Sequence, residues 1–174
     1  MTNKEASDKQ EKLVANYLGW KQVTGSGSRP THPGDVVGKE WMGECKTHTK
    51  PRKTITLKKS VWNKICEEAY SHHKFPSYFI DDGTQTYDGT WVVFKECILP
   101  KEYTDSSNTH IFITFPQDVK DQITFDCDKY SNLFNVNDFV FLFQFDTNAS
   151  DVMRKRDKLF LTKLSTFRKI INLE

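Results

Sequence analysis

The sequence predicts an α/β (α+β) fold in which helices flank a mixed central sheet. Three features support this prediction: a punctuated helix near the N-terminus, a strand hairpin at 34–46, and a strand–helix–strand unit that ends near residue 80. The first 80 residues therefore have the order α-β-β-β-α-β. The hairpin strands must run antiparallel, whereas a strand–helix–strand crossover normally joins parallel strands, so the sheet should be mixed.

Spacing and punctuation define the individual elements. A capping box, Ser7-x-x-Gln10, should open the first helix, Gly19 should end it, and a strand should follow at 20–24. Apolar residues that recur every four positions predict a second helix over 56–72: Leu57, Val61, Ile65 and Ala69. Further strands are expected over 77–80, 90–95, 111–115 and 138–145. A terminal segment has helical spacing of its apolar residues: Phe160, Leu164, Phe167 and Ile171.

Length and composition favour a core with an added segment. The chain has 174 residues, which we divide into a core, 1–96, and a β-rich C-terminal extension, 97–174. No apolar run approaches the roughly 20 residues of a membrane span. The four cysteines contain no C-x-x-C pair, which argues against a zinc knuckle. We therefore expect a soluble cytoplasmic protein without a membrane partner.

Charge is distributed unevenly along the chain. The net charge is +6 over residues 1–80, −8 over 81–150 and +4 over 151–174, which sum to +2. The densest basic stretch contains no acid: Lys46, Lys50, Arg52, Lys53, Lys58 and Lys59. Such a stretch suits a polyanionic partner, although an ordinary solvated surface is the simpler explanation when the charges are taken alone. The acidic segment should lie away from any bound nucleic acid.

The hairpin should bring two acids and a lysine onto one face. Gly38-Lys39 has glycine where the first central position of a type II′ turn requires it. Counting back from that turn puts Asp35 opposite Met42. Because alternate side chains of a strand share a face, Glu44 and Lys46 should lie on the same face as Asp35. The β-carbons of Asp35 and Glu44 would then be diagonal neighbours roughly 7 Å apart.

Two carboxylates at this separation can bind one divalent cation, with an ammonium group beside it. These groups are suited to metal-assisted hydrolysis of a phosphodiester. An acid-x-Lys triplet alone says little, and Asp118-Val119-Lys120 has the same form. Only Glu44-Cys45-Lys46 has a strand context and a second acid placed opposite by a hairpin.

Five short motifs occur in order within residues 5–95: Ser7-x-x-Gln-Glu11, Gly25-Ser-Gly-Ser28, Pro33-Gly-Asp35, Glu44-Cys-Lys-Thr47 and Trp62-x-Lys-Ile-x-x-Glu-Ala69. Together with the element order, they resemble the PD-(D/E)XK nuclease superfamily, and more narrowly the phage-type and archaeal-type Holliday-junction resolvases. The chain departs from the name-giving motif by a glycine between proline and aspartate. The resemblance implies a restriction-endonuclease-like core, and a protein that a phage could encode and that would act in its host's cytoplasm.

The resemblance also implies a role for each site residue. Asp35 and Glu44 would hold Mg²⁺ or Mn²⁺, with the backbone carbonyl of Cys45 as a further oxygen ligand. Glu11 would add a carboxylate from the first helix, although a solvated glutamate in the helix's early turns is the simpler alternative. Lys46 would orient or help to deprotonate the attacking water and stabilise the transition state. If Glu11 does not serve, Asp8 and Glu5 are the next candidates.

The expected partners are DNA and a second copy of the chain. DNA contacts are predicted in the loop after the first strand and in the basic stretch after the hairpin: Ser26, Ser28, Arg29, Thr47, Lys50, Arg52 and Lys53. Two symmetric nicks across a four-way junction require two sites related by a twofold axis, which a homodimer supplies. Two alternatives stay open: another DNA nuclease, restriction-like or repair, and a non-catalytic nucleic-acid-binding module.

Overall fold

The protein is described here from a computed structural model, which covers residues 1–23, 33–95, 110–112, 122–128, 140–145 and 157–172. Three helices are present in these ranges: α1 (Asn3–Leu18), α2 (Lys59–Ser71) and α3 (Leu164–Ile171). The first six strands are β1 (Lys21–Gln22), β2 (Val36–Val37), β3 (Trp41–Lys46), β4 (Thr54–Lys58), β5 (Phe75–Asp81) and β6 (Thr90–Lys95). The remaining strands are β7 (His110–Phe112), β8 (Gln122–Asp126), β9 (Val140–Phe145) and β10 (Asp157–Lys163).

Eight of these strands form one mixed sheet in the order β1-β2-β3-β5-β6-β10-β9-β7. Strands β3 and β5, which flank α2 in the chain, pair in parallel, and β7 and β9 do the same. The other pairings in this sheet are antiparallel. The predicted α+β class with a mixed sheet is confirmed. Strand β10 pairs with β6, so the C-terminal strands continue the sheet of the N-terminal part.

Two hydrophobic clusters cover the two faces of the sheet. On one face, α1 and α3 pack through residues such as Val14 and Phe167. On the other face, α2 packs together with β4 and β8, which form a separate two-stranded sheet. Trp62 and Trp91 are both buried in this second cluster. None of the helices in the described ranges is long and apolar enough to span a membrane.

The first helix begins earlier than the sequence predicts. Thr2 is its N-cap and forms a capping box with Glu5, so the predicted box of Ser7 and Gln10 is wrong. Gln10 is instead buried inside the helix and donates to Thr90 Oγ1 at 3.1 Å. Both Thr2-x-x-Glu5 and Ser7-x-x-Gln10 have the spacing of a capping box, and the helix begins at the first of them. The predicted end at Gly19 is confirmed, with φ of 71°.

The hairpin turn lies one residue later than predicted. Val37 pairs with Met42, and the Gly38 N–H donates to Trp41 O at 2.9 Å, so the chain reverses through Lys39 and Glu40. Gly38 does not have the positive φ of a type II′ turn. It is required for another reason, because a β-carbon there would lie 2.7 Å from the Trp20 ring.

This shift moves the pairing by two positions, so Glu44 and Lys46 remain on the same face of β3 as Met42. Val36 pairs with Gly43. Asp35 precedes β2, and its N–H donates to the carbonyl of the same Gly43, so the regular pairing of the hairpin ends at Val36.

The predicted second helix is partly strand. Thr54–Lys58 pairs with Gln122–Asp126, and the helix begins only at Lys59. Ile55 and Leu57 are both fully buried, which is the two-residue period of a strand. At the C-terminus, Phe160 likewise belongs to β10, and the helix starts at Leu164. The strand predicted over 90–95 is confirmed, and the one over 77–80 extends to Phe75–Asp81; residues 113–115 and 138–139 of two others lie outside the described ranges.

Candidate active site

Asp35 is fixed at the start of the β2–β3 hairpin. Its backbone N–H donates to Gly43 O at 2.8 Å, and its carbonyl accepts from the Val23 N–H at 2.9 Å. Its carboxylate Oδ2 accepts a 2.8 Å hydrogen bond from the Cys45 N–H. Asp35 is only 8% exposed and Glu44 only 6%. Both acids are therefore largely withdrawn from solvent.

Lys46 completes the group on β3. Its Nζ donates to Glu44 Oε1 at 2.6 Å and to the Cys45 carbonyl at 3.2 Å, while about half of its side chain, 49%, stays exposed. Burial alone would lower the pKa of Lys46, but the adjacent Glu44 carboxylate outweighs burial and raises that pKa. Lys46 is accordingly an ammonium group at neutral pH.

Glu11 reaches the same place from α1. Its carboxylate is half-buried and accepts hydrogen bonds from Ser7 Oγ at 3.1 Å and Gln22 Nε2 at 3.0 Å. Burial raises the pKa of Glu11, and repulsion from Asp35 raises it further. Of the two alternatives, Glu5 belongs to the N-terminal capping box, whereas Asp8 pairs with Lys12 and accepts from the same Gln22 amide as Glu11 does. Glu11 is thus the helix acid that feels the charge of Asp35.

Cys45 offers its backbone rather than its thiol. Its side chain lies in the cluster beneath α1 and α3, and it is 1% exposed. Burial raises the pKa of the thiol, and the carboxylates of Asp35, Glu11 and Glu44 raise it further. The thiol is therefore protonated and points into the hydrophobic cluster under α1 and α3. The backbone carbonyl of Cys45 instead accepts a hydrogen bond from Lys46 Nζ.

These groups fit a hard divalent cation. The predicted ligands are carboxylate and carbonyl oxygens, which Mg²⁺ and Mn²⁺ prefer. Two of these oxygens, Glu44 Oε1 and Cys45 O, already share one cationic group, the ammonium of Lys46. Within the described residues, no three His, Cys, Asp or Glu side chains form a ready-made cluster. Mg²⁺ commonly takes only one or two carboxylates and completes its shell with waters and substrate phosphates.

Two residues of α2 belong to this site but were not predicted from the sequence. Lys64 Nζ lies 3.7 Å from Glu44 Oε2 and 3.6 Å from Glu68 Oε1. Glu68 Oε2 accepts a 3.1 Å hydrogen bond from the N–H of Gly34, the residue before Asp35. The Lys64–Glu68 spacing of four residues is the signal that could have marked them as a pair on one helix face.

Of the predicted nucleic-acid-binding residues, Thr47 has a clear role within the fold. Its hydroxyl donates to Asp81 Oδ2 at 2.6 Å. Asp81 is fully buried and also accepts from the N–H groups of Gly83 and Gln85. Burial raises the pKa of Asp81. This carboxylate, which sequence reasoning missed, ties the end of β3 to the end of β5.

The other predicted contacts are charged side chains or lie outside the described ranges. Lys50, Arg52 and Lys53 are exposed, and Lys53 pairs with Asp128 at 3.0 Å. Burial and the neighbouring Arg52 lower the pKa of His48 in the same loop. The remaining three precede the described hairpin and are not covered: Ser26, Ser28 and Arg29.

The contacts among the five residues predicted for catalysis and metal binding are pairwise: Asp35 accepts from the Cys45 N–H, Lys46 donates to Glu44 and to the Cys45 carbonyl, and Glu11 is repelled by Asp35. The arrangement combines carboxylate and carbonyl oxygens with an ammonium group just before a basic loop. When compared with known proteins, the chain matches no family model, no curated protein and no solved structure.

Proposed function

We propose that this protein is a metal-dependent DNA endonuclease that hydrolyses phosphodiester bonds. One observation carries the proposal. Two nearly buried carboxylates are tied to one stretch of β3: Asp35 accepts from the Cys45 N–H, and Glu44 precedes Cys45 and lies 2.6 Å from the ammonium of Lys46. Desolvating carboxylates costs free energy, and a bound cation would offset that cost.

Each residue has a role that its chemistry supports. Asp35, Glu44 and the carbonyl of Cys45 would hold Mg²⁺ or Mn²⁺, with Glu11 as a further carboxylate. When bound, such an ion lowers the pKa of a coordinated water and neutralises charge on the phosphate. Lys46, an ammonium with about half its side chain exposed, would orient the attacking water and stabilise negative charge that develops on the phosphate.

Branched DNA is the substrate class that we propose, and a Holliday-junction resolvase the activity. The exposed basic residues of the loop after β3 suit a polyanion close to the carboxylates: Lys50, Arg52 and Lys53. The choice of a branched substrate rests on the motif resemblance, and a homodimer is the assembly that two symmetric nicks require.

A cleavage assay tests the proposal. Labelled four-way junction, linear duplex and single strand of matched sequence are incubated with Mg²⁺, with Mn²⁺ or with EDTA. The wild type is compared with Glu44→Gln, Lys46→Met and Glu40→Gln; the last removes an exposed acid at the tip of the same hairpin and is the matched control. We expect metal-dependent nicking of the junction, a loss of at least about 100-fold for the two site variants, and wild-type rates for the control.

Each contrary result has a distinct meaning. If the wild type cuts none of the three substrates, or if both site variants cut as well as it does, the endonuclease proposal is wrong. If linear duplex is cut as readily as the junction, the protein is a nuclease of another kind. Metal-independent junction binding without turnover would instead indicate a binding module.

A further inference from the structure

Helix α2 presents a lysine and a glutamate to the carboxylates of the hairpin. Trp62, Ile65 and Ala69 bury one face of the helix in the core. Lys64 and Glu68, one turn apart, lie on the side that meets the β2–β3 hairpin, where Lys64 Nζ is 3.7 Å from Glu44 Oε2. Neither residue is needed for the roles assigned above.

The charge pattern around Glu44 is unusual for a surface ion pair. The Glu44 side chain is 7% exposed, and each of its two oxygens faces a different lysine, Lys46 at 2.6 Å and Lys64 at 3.7 Å. The two lysine side chains are 49% and 55% exposed. The carboxylate is therefore covered, while about half of each lysine side chain stays exposed and can contact an incoming anion.

Glu68 connects this lysine to the backbone that carries Asp35. One of its oxygens lies 3.6 Å from Lys64 Nζ, and the other accepts the Gly34 N–H at 3.1 Å. Gly34 has φ of 70°, and a β-carbon there would lie 2.7 Å from Met42 Cγ. The turn before Asp35 is thus held by a tight backbone fit on one side and by Glu68 on the other.

From this geometry we infer that Lys64 is a second substrate-contacting cation of the site, which binds a DNA phosphate, and that Glu68 is a positioning residue for both Lys64 and Asp35. The inference rests on the proposed function and extends it to α2. A metal ion held by Glu44 would compete with Lys64 for that carboxylate, which would leave the ammonium for a phosphate oxygen. Lys64 thereby competes with the metal in the free protein and assists the substrate in the complex.

Two readouts that move differently test the role of Lys64. Affinity for a four-way junction is measured by fluorescence anisotropy, with Ca²⁺ replacing Mg²⁺ to limit turnover, across a salt series; Mn²⁺ affinity of the free protein is measured by calorimetry. For Lys64→Met we expect about five- to tenfold weaker junction binding and a salt slope reduced by about one phosphate contact. Mn²⁺ should bind to the Lys64→Met variant at least as tightly as to the wild type.

Lys64→Arg should restore junction affinity to within about twofold of the wild type. Lys39→Met, which removes an exposed lysine at the hairpin tip, is the matched control.

Glu68 is tested through a pair of substitutions. Glu68→Gln keeps an oxygen for the Gly34 N–H and should retain Mn²⁺ affinity, whereas Glu68→Ala loses that acceptor and should weaken Mn²⁺ binding. If Glu68→Gln and Glu68→Ala changed Mn²⁺ affinity equally, the positioning role of Glu68 would be overturned.

The role of Lys64 is overturned if Lys64→Met binds the junction as tightly as Lys39→Met does, or if it weakens Mn²⁺ binding in parallel with DNA binding. A wild type that cleaves DNA while these variants fail the test refutes only this inference; a wild type that neither binds nor cleaves DNA refutes the proposed function as well.

Discussion

The carboxylate of Asp35 accepts a 2.8 Å hydrogen bond from the backbone N–H of Cys45. This bond joins an acid at the start of one hairpin strand to the peptide that directly follows Glu44 on the other. The relative position of the two acids is therefore set by the backbone of the ribbon rather than by flexible side chains. Preorganisation of this kind is what a cation-dependent catalytic site requires.

Substitutions at Asp35 should separate its structural and chemical roles. Asp35→Asn keeps an oxygen that can accept the Cys45 N–H, so we expect the free energy of unfolding to change by less than about 1 kcal/mol. Asp35→Ala leaves that buried N–H without an acceptor and should cost about 1–3 kcal/mol. Both should lose at least about 100-fold in cleavage rate. Urea unfolding and the cleavage assay measure the two effects, and an Asn variant with wild-type activity would contradict the catalytic assignment.

Gly34 should tolerate a side chain less well than another glycine of the same backbone conformation. Gly19 and Gly34 have φ of 71° and 70°, but a β-carbon at Gly19 meets nothing within 4 Å. Gly19→Ala should therefore cost only the conformational strain, about 1–2 kcal/mol. Gly34→Ala adds the collision with Met42 and should cost at least about 1 kcal/mol more. Chemical denaturation of the two variants compares them directly; equal losses of stability would show that Met42 does not restrict the turn.

The thiol of Cys127 should make stability depend on pH in alkaline solution. Burial raises the pKa of Cys127 from an ordinary value of 9.0 to about 11. The folded protein then keeps a proton that the unfolded chain releases, so this contribution to stability is complete below about pH 9 and is lost between about pH 9 and 11.

Between these pH values the wild type should lose about 1–3 kcal/mol more than Cys127→Ala does. Urea unfolding at a series of pH values measures the difference. Cys66→Ala removes a half-buried thiol on α2 and controls for the loss of a sulfur atom. Parallel pH profiles for wild type and Cys127→Ala would refute the prediction.

The sequence predicts that Glu44 and Lys46 share a face because this depends only on the alternation of side chains along one strand. A turn displaced by one residue moves the strand pairing by two positions and leaves that alternation unchanged. The position of Asp35 could not be predicted in the same way, because the regular pairing ends at Val36. The turn itself could not be located, because Gly38 serves the packing of Trp20 and that contact lies outside the hairpin.

Other features of the fold and the site were not predicted, because they depend on residues that are distant in the sequence. Leu57 fits a helical period, yet it belongs to a strand and pairs with Ile123, which is 66 residues later in the chain (123 − 57). The periodicity of α2 indicates its buried side but does not reveal that Lys64 and Glu68 face the hairpin. Asp81 gave no signal, because its partners are the hydroxyl of Thr47 and backbone N–H groups in a turn.

Mn²⁺ binding to the free protein tests the central claim most directly. Titration calorimetry of wild type, Asp35→Asn, Glu44→Gln and the control Glu40→Gln would show whether the two hairpin acids form a cation site. We predict Mn²⁺ binding to wild type and to the control, with a loss of at least about tenfold in affinity for each of the other two variants. Equal Mn²⁺ affinity in all four proteins, or none in any, would contradict the account.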